Sequence, residues 1–243
     1  MIRTIAGLTF RALAGRRRVL LVVLLCALPV LVAVLVRASG RTANLESITA
    51  TIVDRLVISS LVPLVALVFG TSALGAELDD GTAVYLLTKP IARWRIVVAK
   101  VLVAAGLASA ITVPAAFASS AILGPNATLI PHALGYAAGT AIAASLYVMV
   151  FMALSLVTSR ALAIGLVYVL VWEGLLAGLF EGTRTFSIRQ YALGVAQWIG
   201  GRGTTNGDRL AGSVALGLAA VVFGFALVIA IRRLQSYEIG EAD

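Results

Sequence analysis

The sequence predicts an all-α polytopic membrane protein, one transmembrane domain over residues 1–243 with six transmembrane helices. An amphipathic helix precedes the first span, a short segment bounded by helix breakers occupies the connection between the second and third, and an interfacial or re-entrant helix precedes the last. Three observations predict this class. The 243 residues are 60% hydrophobic and 12% charged, with mean hydropathy +1.03, whereas a soluble domain is about a quarter charged. Six separate apolar runs of roughly 18 to 25 residues consume most of the chain and leave nothing to build an independent water-soluble core. The runs are continuous and not alternating, which excludes transmembrane strands.

The runs cover residues 19–36, 56–76, 96–123, 133–157, 161–180 and 210–231. At about 1.5 Å per residue, twenty helical residues cross the roughly 30 Å hydrocarbon core. Within it a helix satisfies every backbone N–H and C=O inside one segment. The first run follows Arg16, Arg17 and Arg18 as a signal peptide would. No small-x-small cleavage site follows it and five further spans do, so it reads as a retained anchor. Leu24-Leu25-Cys26 lacks the small residue that precedes a lipidated cysteine. Cys26, the single cysteine, therefore reads as a small buried or lipid-facing apolar residue, and no intrachain disulfide framework exists.

Net charge is +8, from 19 basic and 11 acidic residues. The excess punctuates the apolar runs and does not form a stripe on a soluble face, so nucleic acid is not an expected partner. Basic residues close to spans are retained on the cytoplasmic side. With the amino terminus inside, twelve fall on inner segments: Arg3, Arg11 and Arg16 to Arg18, then Lys89, Arg93, Arg95 and Lys100, then Arg160, then Arg232 and Arg233. Seven fall outside, at Arg37, Arg41, Arg55, Arg184, Arg189, Arg202 and Arg209. Both termini are expected in the cytoplasm.

Taken in order, Ile2, Ile5, Thr9, Ala12 and Leu13 recur at helical spacing opposite Arg3 and Arg11, which predicts an amphipathic helix on the inner membrane surface. Headgroup attraction of about 1 kcal/mol per basic residue explains it; contact with a partner subunit is the alternative. In the connection between spans two and three, Glu77, Asp79 and Asp80 are followed by the helix breaker Gly81, then by an apolar patch of Val84, Leu86 and Leu87, then by Pro90. Pro90 permits a fresh helical start, with Arg93, Arg95 and Lys100 around the entrance to span three. Residues 77–95 thus form a short segment bounded by two breakers and joined rigidly to two membrane helices.

The order Glu-x3-Gly-Thr, then Leu-Leu-x-x-Pro-Ile-x-Arg, then a lysine leading into an apolar helix resembles the cytoplasmic loop of permeases in the ABC-2 type of ATP-binding cassette transporters. The residues are Glu77, Gly81, Thr82, Leu86, Leu87, Pro90, Ile91, Arg93 and Lys100. Ala92 stands where serine is frequent in the family. The six-span layout agrees over nearly the whole chain, although only the loop is motif-specific. The resemblance implies a bacterial plasma-membrane permease subunit, an exporter in direction, that pairs with a second permease and with two copies of a cytoplasmic ATPase. It implies that the loop is a coupling helix seated in a groove on the ATPase, with Glu77, Asp79, Asp80, Gly81, Leu86, Leu87, Pro90 and Arg93 as the coupling residues. An acid-flanked apolar patch with nearby cations suits such an interface. A loop held only by lipid headgroups is the alternative.

The chain has no G-x-x-x-x-G-K-[ST] phosphate loop, so ATP and Mg are expected on the partner and no enzyme activity or cofactor in this chain. His132 is the only histidine, no nucleophile motif occurs, and no metal site is expected; His132 reads as a solvated or interfacial loop residue. Glu173, within the fifth run beside Trp172, is costly in a bilayer unless protonated, paired or hydrated. It reads either as part of a translocation path or permease interface, or as a water-reachable structural acid. Beyond span five, Ile188, Tyr191, Ala192, Val195, Trp198 and Ile199 share one helical face opposite Arg189, Gln190 and Gln197, with Gly200-Gly201 as the stop. Gly135, Gly139 and Ala143 repeat every four positions, but small residues are too abundant here for that spacing to assign an interface. An ATP-independent transporter centred on Glu173, or a membrane scaffold or assembly factor, is the competing class. The cargo is not legible; apolar spans favour an amphiphile only weakly.

Overall fold

The computed structural model describes residues 2–40, 45–79, 92–124, 129–176, 185–201, 204–205 and 209–236. Among these every regular element is helical. Helix α1 (Ile2–Leu13) leads into α2 (Arg16–Ala38). The second apolar run is one continuous rod, made of α3 (Leu45–Thr51), a π-helical stretch (Ile52–Leu61) and α4 (Val62–Asp79). Then come α5 (Arg93–Leu123) and α6 (Leu129–Val157), followed by α7 (Ala161–Val167) continued by a second π-helical stretch (Tyr168–Leu176). The set closes with α8 (Ile188–Gly200) and α9 (Gly212–Gln235).

Five of these helices are long and apolar enough to cross a membrane: 17–38, 45–75, 93–123, 130–157 and 212–235. The fifth run gives a shorter apolar helix, Ala161–Glu173 in its most apolar part. The second span departs most from the sequence reading. It begins at Leu45 and not at residue 56, because Ile48, Ile52 and Val53 continue the apolar face across Asp54.

The helices run up and down about α6, which packs against α4, α5, α8 and α9. One end of the bundle gathers Arg18 beside Ser72, Gly75 beside Ser155, and Arg93 beside Leu234. We call it the terminal end, since α1 and the end of α9 lie there. The far end gathers Ala33, Ile52 and Leu123 in one apolar cluster, together with α8 and the start of α9. Glycine sets the closest approaches. A Cβ at Gly70 would lie 2.9 Å from the Val148 carbonyl oxygen, so α4 and α6 touch backbone to backbone. By contrast α2 presents Leu20, Leu21, Leu24, Leu28, Leu31 and Leu35 outward, as a lipid-facing helix does.

Helix α1 is not a free surface helix. Thr9 and Leu13 are buried against the bundle, where α1 meets α5 and α4, while Leu8, Phe10 and Ala12 stay exposed. Cys26 is buried, in agreement with one of its two expected environments.

Candidate functional site

At the terminal end the two helices that bracket residues 80–91 are both tied to the bundle. α4 continues through Glu77 and Asp79 to its last residue, so these acids belong to the final turn of the second span. Asp80, Gly81, Leu86, Leu87 and Pro90 lie outside the described residues. On the other side Ala92 precedes α5 and its carbonyl accepts from the Arg95 N–H at 2.9 Å.

The three cations grouped there by sequence have separate partners. Arg93 donates through Nη1 to the Leu234 carbonyl and, at 2.9 Å, to the Gln235 carbonyl. A helix leaves its last carbonyls unpaired and carries partial negative charge there, so the guanidinium closes the end of α9. The Arg95 guanidinium lies 5.4 Å from the centroid of the half-exposed Trp94 ring. Lys100 is 1% exposed and donates from Nζ to the Ala73 carbonyl at 2.7 Å, joining α5 to α4. Two of the cations therefore hold the helices flanking the segment in register, a use the sequence reading did not assign. Beside them a hydroxyl-lined cleft of about 160 Å³ opens between Thr71, Ser72, Gly75, Ser155 and Thr158.

The far end holds the buried charges. Glu173 is 1% exposed, yet it is fully engaged. One carboxylate oxygen accepts from the Ser187 hydroxyl at 2.6 Å; the other accepts from the Ile188 N–H at 3.1 Å and the Tyr168 hydroxyl at 3.3 Å. Ile188 is the first residue of α8, so Glu173 supplies the negative charge and acceptors that a helix amino terminus favours. Its contacts tie the second π-helical stretch to the start of α8.

Asp54 is the larger surprise. It is 4% exposed inside the π-helical stretch of the second span. Its Oδ1 accepts from Arg189 Nε at 2.8 Å and lies 2.8 Å from Nη2 of the same guanidinium, and its Oδ2 accepts from Arg209 Nη2 at 3.0 Å. Arg209 also donates from Nη1 to Gln190 Oε1 at 3.2 Å. One carboxylate thus joins the second span, the start of α8 and the approach to α9. Sequence reasoning missed it by ending the outer loop after Arg55. An acid set between Ile52-Val53 and Leu56-Val57 is the signal that could have found it.

Helix α8 forms where expected and stops at Gly201, whose φ of +84° suits a residue without a side chain. Its buried face differs from the expected one. Trp198 and Ile199 are 61% and 46% exposed, whereas Gln190 is buried with Tyr191, Ala192 and Val195. The reason is that α8 packs between α6 and α9 and does not merely lie on a membrane surface. On α6 the Gly135 and Gly139 positions meet the Ala196 and Ala192 carbonyls, leaving no room for a Cβ. The small-residue stripe is therefore the seat of α8. His132 corrects another expectation: it is 5% exposed within α6 and not a solvated loop residue. An apolar groove of about 330 Å³ lies between α6, the second π-helical stretch and α9, lined by Phe151, Leu154, Tyr168, Val222 and Phe225.

Antiparallel apolar helices, lipid-facing leucines and, among the described residues, buried charges paired with one another define a multi-pass helical membrane protein. Residues 4–197 match the family model described as ABC-2 family transporter protein, and the chain belongs to that family. The matched stretch includes residues 77–95 and ends within α8. No curated protein sequence matches the chain.

Proposed function

We propose that this chain is the permease subunit of an ABC-2 type ATP-driven exporter, in which residues 77–95 take up the work of ATP hydrolysis from a separate cytoplasmic ATPase. The observation that carries the reading is the rigidity of what flanks that segment. α4 and α5 leave it in opposite chain directions, are cross-linked by Lys100, and each runs through the bundle to the far end. A push on the segment would therefore move two spans together.

In this reading ATP and Mg are held by two copies of the ATPase, none by this chain, and a second permease, identical or different, completes the pathway. Glu77, Asp79, Asp80, Gly81, Leu86, Leu87 and Pro90 make the contact with the ATPase groove. Arg93 contributes by fixing where that segment joins α9. Six spans, both termini in the cytoplasm and a bacterial plasma membrane complete the proposal, with α8 near the outer surface. The contacts of Glu173 give no support to a gradient-driven transporter, because three donors already hold its carboxylate.

The test is recovery of the tagged protein from gently solubilised membranes, followed by ATPase measurement. We expect an ATP-hydrolysing partner with the wild type and its loss in a Glu77→Lys, Asp79→Lys double variant that still inserts and folds. A wild-type protein that purifies alone from several detergents, without ATPase activity, would overturn the reading. Arg93 is left intact, because its substitution would loosen α9 as well.

A further inference from the structure

Asp54 sits where movement of the second span would have to be delivered. The rod from Leu45 to Asp79 is continuous, so at about 1.5 Å per residue the carboxylate is roughly 35 Å from the start of the segment read as ATPase-facing. At that far position it holds Arg189 with a hydrogen bond and an ion pair, and Arg209 likewise. Those two arginines begin α8 and precede α9, so one side chain restrains both elements. The rest of α8 is held by close backbone contact with α6 at Gly135 and Gly139 and with Leu210 near Gly194. Its amino terminus is held by charge, through Asp54 on Arg189 and Glu173 on Ile188.

A buried ion pair adds little net stability but is costly to break on one side only, which makes it suited to two discrete arrangements and poorly suited to gradual sliding. The π-helical stretch supplies a second arrangement. Its loosened turns are patched by the Ser59 hydroxyl on the Asp54 carbonyl at 2.7 Å and the Ser60 hydroxyl on the Arg55 carbonyl at 2.9 Å. Rewinding these residues to α geometry would rotate Asp54 away from both guanidiniums.

We propose that Asp54, Arg189 and Arg209 form a latch through which movement of the second span releases and reseats α8 at the far end of the bundle. The three are positioning residues for transport, and the inference rests on the proposed coupling at residues 77–95. Glu173 stays on α8 throughout as the hinge point of its amino terminus.

Hydrogen exchange of the intact permease–ATPase complex, nucleotide-free and vanadate-trapped, tests it without a known cargo. In the wild type, trapping should change exchange in residues 77–95 and speed it about tenfold in residues 188–200. In Asp54→Asn, residues 188–200 should exchange fast in both states while residues 77–95 still respond and ATPase activity persists. The conservative Asp54→Glu, which keeps a carboxylate between the two guanidiniums, should retain the response. A purely structural network would give faster exchange but leave the nucleotide response of 188–200 intact, and that result overturns the latch. A wild type in which 77–95 respond and 188–200 do not overturns the latch alone. A wild type in which neither responds overturns the coupling reading, and the latch with it. Should Asp54→Asn fail to fold, Arg189→Gln, which frees the start of α8 and spares the Asp54–Arg209 pair, carries the same measurement.

Discussion

Glu173 shows how a single buried charge is made tolerable in this bundle. Its carboxylate is the common acceptor for the Ser187 hydroxyl, the Ile188 N–H and the Tyr168 hydroxyl, so removing it strands two buried donors and one half-buried donor. An orphaned buried donor costs about 1 to 3 kcal/mol. Glu173→Ala should therefore lower stability by about 3 kcal/mol, and Glu173→Gln, which keeps one carbonyl oxygen, by about half as much. Thermal unfolding in detergent measures both, and an unchanged midpoint for the alanine variant would refute the capping assignment. Arg93 offers a smaller case at the opposite end. Arg93→Ala should cost about 1 kcal/mol and speed amide exchange in the last turn of α9, with Arg93→Lys near wild type because one donor still reaches the two carbonyls. Neither pairing was legible in the sequence. Glu173 is fourteen residues from Ser187 and Arg93 is 141 from Leu234, and separations of that kind are fixed by packing alone.

Among the elements, the existence of the long apolar helices was legible, and two of their ends to the residue, because length and hydropathy are all the bilayer requires. The third span was expected to end at residue 123, where α5 ends, and the fourth at 157, where α6 ends. What hydropathy does not encode is which helix touches which. The Gly135 and Gly139 spacing was visible, yet only the structure shows α8 seated on it. The exposed Trp198 follows from the same fact, since α8 buries the side that meets α6 and α9. Two glycine substitutions separate these causes. Gly139→Ala forces a Cβ into the Ala192 carbonyl and should destabilise by about 1 to 3 kcal/mol through displacement of α8. Gly106→Ala, on a part of α5 with nothing within 4 Å of the added atom, should be neutral or stabilising by up to about 1 kcal/mol. Equal midpoints for the two variants would mean that α8 is not held by this contact.

For the whole molecule, the number of crossings and the placement of the chain ends constrain one another. Arg93 begins α5 and touches the end of α9, and α1 packs on α5 and α4, so the start and finish of the helical chain share one end of the bundle. An odd number of crossings cannot return a chain to the side from which it started. Among the described residues five helices are long enough alone, so in the proposed six-span layout the shorter fifth-run helix is the remaining crossing. Its geometry allows this. Gly165 packs against Leu67 and Phe151, and further along Glu173 reaches the amino terminus of α8 at the far end. The sixteen described residues from Ala161 to Leu176 reach at most about 24 Å, the length at full α-helical rise, against the roughly 30 Å of the hydrocarbon core. The expected outcome is that cysteines introduced at Gly7 and at Ser236 in a Cys26→Ala background resist a membrane-impermeant maleimide in intact cells. A cysteine at the exposed Trp198 should react with it, because α8 and the last short connection lie at the opposite face. Labelling at Gly7 but not Ser236, or the reverse, would show an odd number of crossings and remove the fifth run from the spans.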